Sequence, residues 1–283
     1  MSGKASRRSR VQGGWANSSP QSSAAHKKTA AVEDVHKLPV WIGNGKDSDL
    51  PQQSALKFHQ PDEKDMQNDA AETQLITTPG IYDLSDEPSG ISRVKLFHNF
   101  LDAEAAAKLM KDLLENVPWE QKCDIKDGRA RSQPRVVAWY GNVEYSYSGL
   151  THPPRPDWLP SLLEVKKMLE ENSGLQFNSV LCNMYKNGKD HVSWHSDDEP
   201  LFGRLPTIAT VSLGDTRVFE LRKKVPPTDT GEYIYREYVR IPLPAGSLLL
   251  MEGATQLDWQ HRIPIEYHDR EKRISLTYRY VVS

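Results

Sequence analysis

The chain has 283 residues, a hydrophobic fraction of 37%, a charged fraction of 26% and a formal net charge of -2 at pH 7. No run of about 18 apolar residues is present, so the sequence predicts no membrane span, and the N-terminus lacks the apolar core of a secretory signal peptide. Two cysteines, Cys123 and Cys182, argue against a disulfide framework and favour a reducing compartment, so we expect the protein in the nucleus and cytoplasm.

Residues 1–75 are rich in Ser, Gln, Ala, Asp and Lys and show no sustained hydrophobic period of 2 or 3.6. Such a composition buries too little apolar area to offset the entropy of ordering, so a disordered N-terminal tail is predicted. Its basic cluster fits either a nuclear-import or docking element or an ordinary solvated tail: Lys4, Arg7, Arg8 and Arg10. Residues 76–283 carry 26 basic and 29 acidic side chains, so nucleic acid could bind only through a local patch.

The folded part, residues 76–283, begins with a predicted strand at 92–98 and a helix capped by Asp102 that ends near Glu115. A second helix is predicted within 158–174, with Gly174 as its stop. Short β-type runs then follow, at 177–185, 192–197, 207–213, 216–222, 233–242, 247–252, 259–264 and 273–282. This spacing predicts a sandwich or jelly roll in a mainly β (α+β) domain, with the helices bracing one sheet.

The stretch "WHSDDEP" places three carboxylates beside the imidazole of His195. Because residues i and i+2 of a strand point the same way, His195 and Asp197 can present a nitrogen and an oxygen to one metal ion. His261 and His268 are the later histidines, and His261 lies in a predicted strand. Two histidines and one carboxylate on one face form the facial triad of non-haem Fe(II) oxygenases. The alternative for this stretch is a solvated acidic turn.

A zinc helix is a competing interpretation of the same region, because His191 and His195 are spaced i, i+4. The residues around them are of β type, however, and Val192 stands where a zinc protease needs its glutamate. The pattern therefore favours the iron site.

Two further pairs strengthen the iron interpretation. Arg273 and Arg279 are six residues apart and face one side of a predicted strand, where one guanidinium can hold the far carboxylate of a dicarboxylate. The other can assist the carboxylate that chelates the metal. Asn183 and Tyr185 share a face by the same period. Each pair could also be ordinary surface decoration, but the three patterns in this order are hard to attribute to chance.

The chain resembles the AlkB family of Fe(II)/2-oxoglutarate alkylation-repair dioxygenases in its motifs and their order, which are N-x-Y, H-x-D, H and R-x-S-x-T-x-R. The similarity extends over most of residues 90–282. The resemblance implies a double-stranded β-helix (jelly-roll) core at about 175–283 and a lid at about 115–150. It implies iron held by His195, Asp197 and His261, with O2 and 2-oxoglutarate as cosubstrates. The implied cosubstrate residues are Asn183, Met184, Tyr185, Arg273, Ser275 and Arg279. Ser275 stands where the family usually has Asn, and its shorter reach predicts an altered affinity for 2-oxoglutarate.

On the substrate side, the resemblance implies demethylation of N1-methyladenine and N3-methylcytosine in single-stranded DNA and RNA, releasing formaldehyde, succinate and CO2. An extruded base needs aromatic faces and polar groups at its edge. The implied substrate-binding residues are Trp119, Arg135, Tyr145, Ser146, Tyr147 and Asp198. We expect Tyr145 and Tyr147 to form a stacking lid, and Trp139 and Tyr140 to lie in the core. The resemblance further implies a helicase-containing (ASCC) repair complex as partner. We also expect a monomer and no association with a membrane.

Two other function classes stay open at this point. A 2-oxoglutarate-dependent protein hydroxylase would share the iron and cosubstrate residues but would have no use for Trp119, Arg135 and the two lid tyrosines together. A non-catalytic nucleic-acid-binding module on a jelly roll would need neither the triad nor both arginines. Succinate release separates the module from the enzymes, and formaldehyde release from methylated oligonucleotides separates the demethylase from the hydroxylase.

Overall fold

The computed structural model describes residues 72–126, 129–147, 150–225 and 237–282. Three α-helices are present in these ranges: α1 (Ala103–Asn116), α2 (Pro160–Ser173) and the short α3 (Thr255–Asp258). The strands of the N-terminal half are β1 (Glu72–Leu75), β2 (Gly80–Glu87), β3 (Gly90–Phe97), β4 (Cys123–Lys126), β5 (Arg129–Ser132), β6 (Val136–Gly141), β7 (Tyr145–Tyr147) and β8 (Leu150–His152). Those of the C-terminal half are β9 (Ser179–Tyr185), β10 (Val192–His195), β11 (Ile208–Gly214), β12 (Arg217–Lys223), β13 (Glu237–Leu243), β14 (Leu248–Gly253), β15 (Trp259–Ile263) and β16 (Arg273–Arg279).

Two large sheets form the scaffold of the described residues. The five-stranded sheet has the order β1-β13-β12-β15-β10, and the seven-stranded sheet has the order β2-β3-β14-β11-β16-β9-β6. Two hairpins, β4-β5 and β7-β8, form separate small sheets. An apolar cluster joins the inner faces of the two large sheets and includes Phe219, Leu221, Leu249 and Tyr185. This arrangement is the predicted jelly-roll core.

Alternation along each strand decides which residues face the helices and which face the other sheet. On β14, Leu248 and Leu250 pack toward α1 and α2, whereas Leu249 and Met251 belong to the cluster between the sheets. Both faces of this strand are therefore buried, which explains its continuous apolar sequence.

The two helices cover the outer side of the seven-stranded sheet and end as the sequence predicts. The Asp102 carboxylate accepts the Ala105 backbone N–H at 2.8 Å, which caps α1. Gly174, with φ of 70°, takes the left-handed conformation after α2 and donates its N–H to the Glu170 carbonyl at 2.9 Å. Both caps are confirmed. In the described residues no helix has the length and apolar character of a membrane span.

Several boundaries differ from the predicted ones. The run predicted at 192–197 is a strand only to His195, and the run at 273–282 ends at Arg279. β1 covers the last residues of the range predicted as a tail, while residues 1–71 and 233–236 lie outside the described part. Strands β1, β2, β4, β5, β6 and β8 were not predicted. β2 is largely exposed or half-buried on both faces, so its pattern carries no clear alternation.

A register shift on β10 is important for the site. Val192 pairs with Ile263 and His195 pairs with His261, so Ser193 and Trp194 together oppose one residue of β15. Such a bulge lets Val192 and His195, three residues apart, both point inward. The bulge therefore turns His195 toward the other sheet and Trp194 toward the outside.

Candidate active site

A polar cavity lies between the two sheets and contains most of the predicted site residues. It is lined by Arg135, Tyr145, Leu181, Asn183, Tyr185, Val192, His195, Asp197, Thr210, Phe219, His261, Ile263, Arg273, Ser275, Thr277 and Arg279. The five-stranded sheet contributes the histidines, and the seven-stranded sheet contributes the arginines. Metal-binding and anion-binding groups thus face each other across the fold.

The three predicted metal ligands come together. Their ligand atoms lie within 4.8 Å of one another, and the rings of His195 and His261 have centroids 4.1 Å apart. His261 is 6% exposed and Asp197 is 1% exposed. The ring of His261 stacks on Phe219, with centroids 5.1 Å apart, which fixes its orientation. Two imidazoles and one carboxylate in this arrangement suit Fe(II) and leave positions open for other ligands.

Hydrogen bonds orient the ligands further. His195 Nδ1 lies 2.8 Å from the Ser193 carbonyl, which can only accept, so this contact favours the tautomer with the proton on Nδ1, in which Nε2 is the atom able to bind a metal. Asp197 follows the strand, and its backbone N–H donates to the side-chain oxygen of Gln256 at 2.9 Å. Ser196 Oγ donates to the Trp259 carbonyl at 2.9 Å. These bonds hold Asp197 toward the histidines although it lies beyond the strand.

Arg279 forms a two-pronged ion pair with Asp197. Its Nη2 lies 2.9 Å from both carboxylate oxygens and its Nε lies 3.2 Å from Oδ2. Burial opposes ionisation of Asp197, but Arg279 and the two histidines together lower its pKa to about 2. The carboxylate is therefore ionised at neutral pH, as a metal ligand must be.

Burial has the opposite consequence for the two histidines. It lowers the pKa of His195, against the attraction of Asp197, and it lowers that of His261 well below its usual value, with His195 adding to the effect. Both imidazoles are thus neutral at pH 7 and able to donate a lone pair.

Arg273 meets the requirements of an anion site. It is 1% exposed, its Nη2 donates to Ser212 Oγ at 2.9 Å, and its guanidinium lies 5.1 Å from the centre of the Tyr185 ring. Among the described residues, Nε and Nη1 of Arg273 and Nη1 of Arg279 are buried donors without a hydrogen-bond partner. Buried guanidinium donors are normally paired, and a carboxylate matches their geometry. The residues present therefore fit a dicarboxylate such as 2-oxoglutarate.

Alternation on β9 places Asn183 and Tyr185 in the cavity but not Met184. Asn183 pairs with Ser275 and Tyr185 pairs with Arg273 in the register of β9 and β16. Met184 points to the other face and packs against the core under the helices. The Met184 side chain therefore does not line the cavity, because neighbouring strand residues face opposite ways, and its assignment to the cosubstrate site stays a prediction.

Two predicted substrate residues line the cavity as buried groups. Arg135 is 5% exposed, and its Nε donates to Asn183 Oδ1 at 2.8 Å. Tyr145 is 1% exposed and stacks on Trp139, with ring centroids 4.6 Å apart. Tyr145 is thus a buried ring that lines the cavity, and its stacking on a substrate base stays a prediction, whereas Trp139 is a core residue as predicted.

Three predicted substrate residues do not line the cavity. Trp119 packs against the core, and its indole N–H donates to the Leu113 carbonyl at 3.1 Å, because it lies just after α1. Ser146 is exposed and hydrogen-bonds to Thr151 at 2.9 Å. Asp198 is exposed and pairs with Lys224 at 3.2 Å. The side chain of Tyr147 lies outside the described part of the structure.

Sequence reasoning missed several groups that support the site. Phe219 and Gln256 position the ligands, and Arg217 contributes a second guanidinium 5.7 Å from the centre of the Tyr185 ring. Glu199 accepts a hydrogen bond from the Tyr145 hydroxyl at 3.3 Å, and burial together with Asp197 raises its pKa. No local sequence pattern distinguishes such a buried carboxylate after a strand, so the role of Glu199 could not be predicted.

Comparisons with known proteins agree with this site. The model of the 2OG-Fe(II) oxygenase superfamily matches residues 93–279. The chain is 47% identical over 275 residues to the alpha-ketoglutarate-dependent dioxygenase alkB homolog 3 of Bos taurus, covering 97% of this chain and 95% of the relative. The protein of that name from Homo sapiens is 46% identical over the same shares. The DNA oxidative demethylase ALKBH2 of Mus musculus is 40% identical over 159 residues, covering 55% of this chain and 65% of the relative.

The matched range contains both large sheets' site residues, from Arg135 to Arg279, and the chain covers nearly the full length of its alkB homolog 3 relatives. The triad suits Fe(II), and the buried arginines that face it suit 2-oxoglutarate. These are the metal and the cosubstrate of the 2OG-Fe(II) oxygenase superfamily. The chain belongs to the AlkB family and is an Fe(II)- and 2-oxoglutarate-dependent dioxygenase.

Proposed function

We propose that this enzyme oxidatively demethylates nucleic-acid bases, with N1-methyladenine and N3-methylcytosine in single-stranded DNA and RNA as its substrates. The observation that carries the proposal is the pairing of the His195–Asp197–His261 triad with a buried arginine site in one cavity. Similarity to a relative named a DNA oxidative demethylase supports the choice of nucleic acid over protein.

The roles of the site residues follow from their positions. His195, Asp197 and His261 would hold the iron, with His195 binding through Nε2. Arg273 would bind the far carboxylate of 2-oxoglutarate through its unpaired donors, beside Tyr185. Arg279, already on Asp197, keeps one donor for a second carboxylate next to the metal.

When bound, Fe(II) and 2-oxoglutarate supply the activation of O2, with one oxygen atom entering succinate and the other entering the N-methyl carbon. The hydroxymethyl group then leaves the base nitrogen as formaldehyde, and the nitrogen lone pair is restored. The balance is one methylated base cation, one O2 and one 2-oxoglutarate in, and one neutral unmethylated base, formaldehyde, succinate, CO2 and one proton out. The surrounding apolar residues, such as Phe219 and Ile263, limit water in the cavity.

The charge of the methylated base suits the acidic residues after β10. N1-methyladenine and N3-methylcytosine are cationic, and Asp198 and Glu199 are carboxylates close in sequence to the metal ligand Asp197. Asp198 now pairs with Lys224 at 3.2 Å in an exposed position, so a bound base would have to replace that lysine. Tyr145 supports Glu199 from the lid side.

We assign residues 115–150 to a lid and 175–283 to the jelly-roll core within a domain of residues 76–283. Hairpin strands β4, β5 and β7 lie outside the two large sheets, and Arg135 and Tyr145 reach the cavity from this segment. Within this range, β6 belongs to the seven-stranded sheet. The parts of the range around β6 contact the cavity without belonging to the core sheets, and such a segment is suited to cover a substrate.

The experiment that tests the function is mass spectrometry of methylated oligonucleotides incubated with the enzyme, Fe(II), 2-oxoglutarate and O2. Single-stranded DNA and RNA carrying N1-methyladenine or N3-methylcytosine should lose the methyl group in step with release of formaldehyde and succinate. His195→Ala is the matched control and should give none of these products. Retention of every methyl group by the wild-type enzyme, while iron and 2-oxoglutarate bind, would contradict the proposal and favour a protein hydroxylase.

A further inference from the structure

The outer face of the five-stranded sheet carries a cluster of arginines around a tryptophan. Val239, His261 and Leu221 point inward on their strands, so their neighbours point outward. The outward residues of β12, β13, β15 and the β10 bulge form what we call the outer arginine face: Arg222, Arg240, Arg262, Trp194 and Glu220.

Register brings these residues together from four strands. Glu220 on β12 stands opposite Arg240 on β13 and opposite Arg262 on β15. Its two carboxylate oxygens lie 3.2 Å from Arg240 Nε and 2.7 Å from Arg262 Nε. Arg222 is two residues further along β12 and contacts Gln260 at 2.7 Å. Arg240 and Arg262 thus share one glutamate and Arg222 lies beside them, so the described residues of this face carry three guanidinium groups and one carboxylate.

The arginines are held in place yet accessible. The guanidinium carbons of Arg222 and Arg262 lie 4.3 Å and 4.4 Å from the ring centre of Trp194, within the range of cation–π attraction. Arg240 and Arg262 keep 49% and 36% of their side chains exposed although both contact Glu220. A guanidinium ordered in this way loses less conformational entropy when it binds a ligand.

The ligand that matches this face is a polyanion with regularly spaced charges. Arginine guanidinium groups recognise phosphate oxygens with paired hydrogen bonds. The chain as a whole has a net charge of -2, so a nucleic acid needs such a local patch in order to be held. Single-strand-binding surfaces combine basic residues with aromatic rings. Trp194 also directly precedes the metal ligand His195 on β10, so the face begins one residue from the candidate active site.

We propose that the outer arginine face binds the phosphate backbone of the single-stranded nucleic acid whose methylated base enters the cavity. This inference rests on the proposed function and adds to it a binding surface outside the cavity. The outer arginine face should increase the affinity of the enzyme for strands that are long enough to reach it. A very short substrate should bind equally well with or without the face.

The test compares two double variants of the full chain, loaded with Fe(II) and 2-oxoglutarate without O2. Arg222→Gln/Arg240→Gln removes two charges from the face and keeps the Arg262–Glu220 pair, so Glu220 stays partnered. Arg93→Gln/Lys95→Gln removes two charges from β3 on the other sheet, where each cation also pairs with an acid. The probe is an unmethylated, fluorescein-labelled single strand of about 15 nucleotides, titrated by anisotropy at several salt concentrations.

We expect the face variant to bind the probe several-fold more weakly, with the salt dependence of log Kd reduced by about 0.7 for each lost contact. The β3 variant should match the wild type. Equal behaviour of the two variants would overturn the inference, as would a poly-glutamate peptide that displaces the probe at equal charge concentration, since that would indicate an acidic protein as partner.

Catalysis separates this inference from the proposed function. The face variant should demethylate a methylated trinucleotide at the wild-type rate. Its KM for a long strand should rise, because the wild type has a lower KM for a long strand than for a trinucleotide and the variant lacks this advantage. An unchanged KM for the long strand contradicts the outer arginine face while leaving demethylation intact. Absence of demethylation by the wild type on either substrate contradicts the proposed function, and the binding result then stands by itself.

Discussion

Asp197 belongs to the candidate metal triad and also forms an ion pair with Arg279, and both contacts decide what its substitution would do. Removing the carboxylate leaves the buried Arg279 guanidinium without its ion pair. Removing the His195 imidazole, by contrast, leaves the Asp197–Arg279 ion pair in place. Loss of catalysis and loss of stability can therefore be separated at these two positions.

We predict that His195→Ala and Asp197→Ala both abolish turnover, and that only Asp197→Ala also lowers the free energy of unfolding of the metal-free protein strongly. Breaking one side of a buried ion pair typically costs about 3–5 kcal/mol. Succinate release measures the first effect and urea denaturation the second. Near wild-type demethylation by either variant would show that the triad assignment is wrong.

A second prediction at this scale concerns the cosubstrate. Arg273→Ala should raise the KM for 2-oxoglutarate by far more than about tenfold, because a lost charge pair with a carboxylate is worth about 2–5 kcal/mol. Arg273→Met serves as a second variant, since it retains most of the buried volume and removes the charge. A KM that is unchanged in Arg273→Met would remove Arg273 from the cosubstrate site.

His152 gives a pH prediction. It is 4% exposed on β8, its ring centroid lies 6.0 Å from that of Tyr145, and burial lowers its pKa below 6.5, with Lys122 adding and Glu120 opposing. His152 therefore binds a proton more readily in the unfolded chain than in the folded chain, so the free energy of unfolding decreases as the pH falls below 6.5. His152→Phe, which retains an aromatic ring, should lose less stability than the wild type between about pH 8 and pH 5.5. Parallel losses in urea titrations at the two pH values would contradict this assignment.

Among the elements, β12 has a role beyond that of a core strand. Its Arg217 is 1% exposed and contacts Glu266 at 3.0 Å, and it donates to the carbonyls of Asn187 at 3.2 Å and Asp190 at 3.1 Å. One side chain thus links the loop after β9 to the loop after β15. Because the same guanidinium lies over Tyr185, these contacts also stabilise the end of the cavity next to Arg273.

Arg217→Met should therefore lower the free energy of unfolding by about 3–5 kcal/mol, as expected for a broken buried ion pair with additional carbonyl partners. It should also raise the KM for 2-oxoglutarate, because Tyr185 loses one of its two neighbouring guanidiniums. Arg93→Met, on an exposed ion pair with Asp83, is the control and should change neither quantity appreciably. Wild-type stability of Arg217→Met in urea would mean that the two loops are held by other contacts.

For the whole molecule, charge and shape together predict a preference for single strands. Residues 76–283 carry 26 basic and 29 acidic side chains, which gives little overall attraction for a duplex backbone. Opening a duplex costs a few kcal/mol for each extruded base, and an apolar wedge is the usual means of offsetting it. In the lid, Val143 packs against the cluster of Trp139 and Tyr145 instead of projecting, and Glu144 is exposed.

The enzyme should therefore demethylate one N3-methylcytosine oligonucleotide faster alone than annealed to its complement. Both reactions are run at the same salt concentration, because affinity for nucleic acid depends steeply on salt. Equal rates on the two substrates would contradict this expectation and would indicate a strand-separating element elsewhere in the chain.

Local sequence determined the helices and the catalytic motifs. Asp102 and Gly174 mark helix ends because capping depends on residues within one turn. The spacing of Arg273 and Arg279 was sufficient to predict a shared face, because strand alternation is a local property. Strand spacing predicted a sandwich or jelly roll, and the predicted strand around His261 made it a candidate third ligand. The resemblance to the AlkB family then favoured the jelly roll and implied His261.

Tertiary structure alone decided which groups are paired, buried or turned outward. Tyr145 is a buried ring because Trp139 and Phe202 pack around it, and Asp198 is exposed beside Lys224, although both are close in sequence to functional residues. The outer arginine face joins residues of β10, β12, β13 and β15 that are up to 68 positions apart in the chain. Cross-strand register and the β10 bulge create these neighbours, and neither is encoded in the spacing of any one segment, because pairing depends on how all the strands pack together.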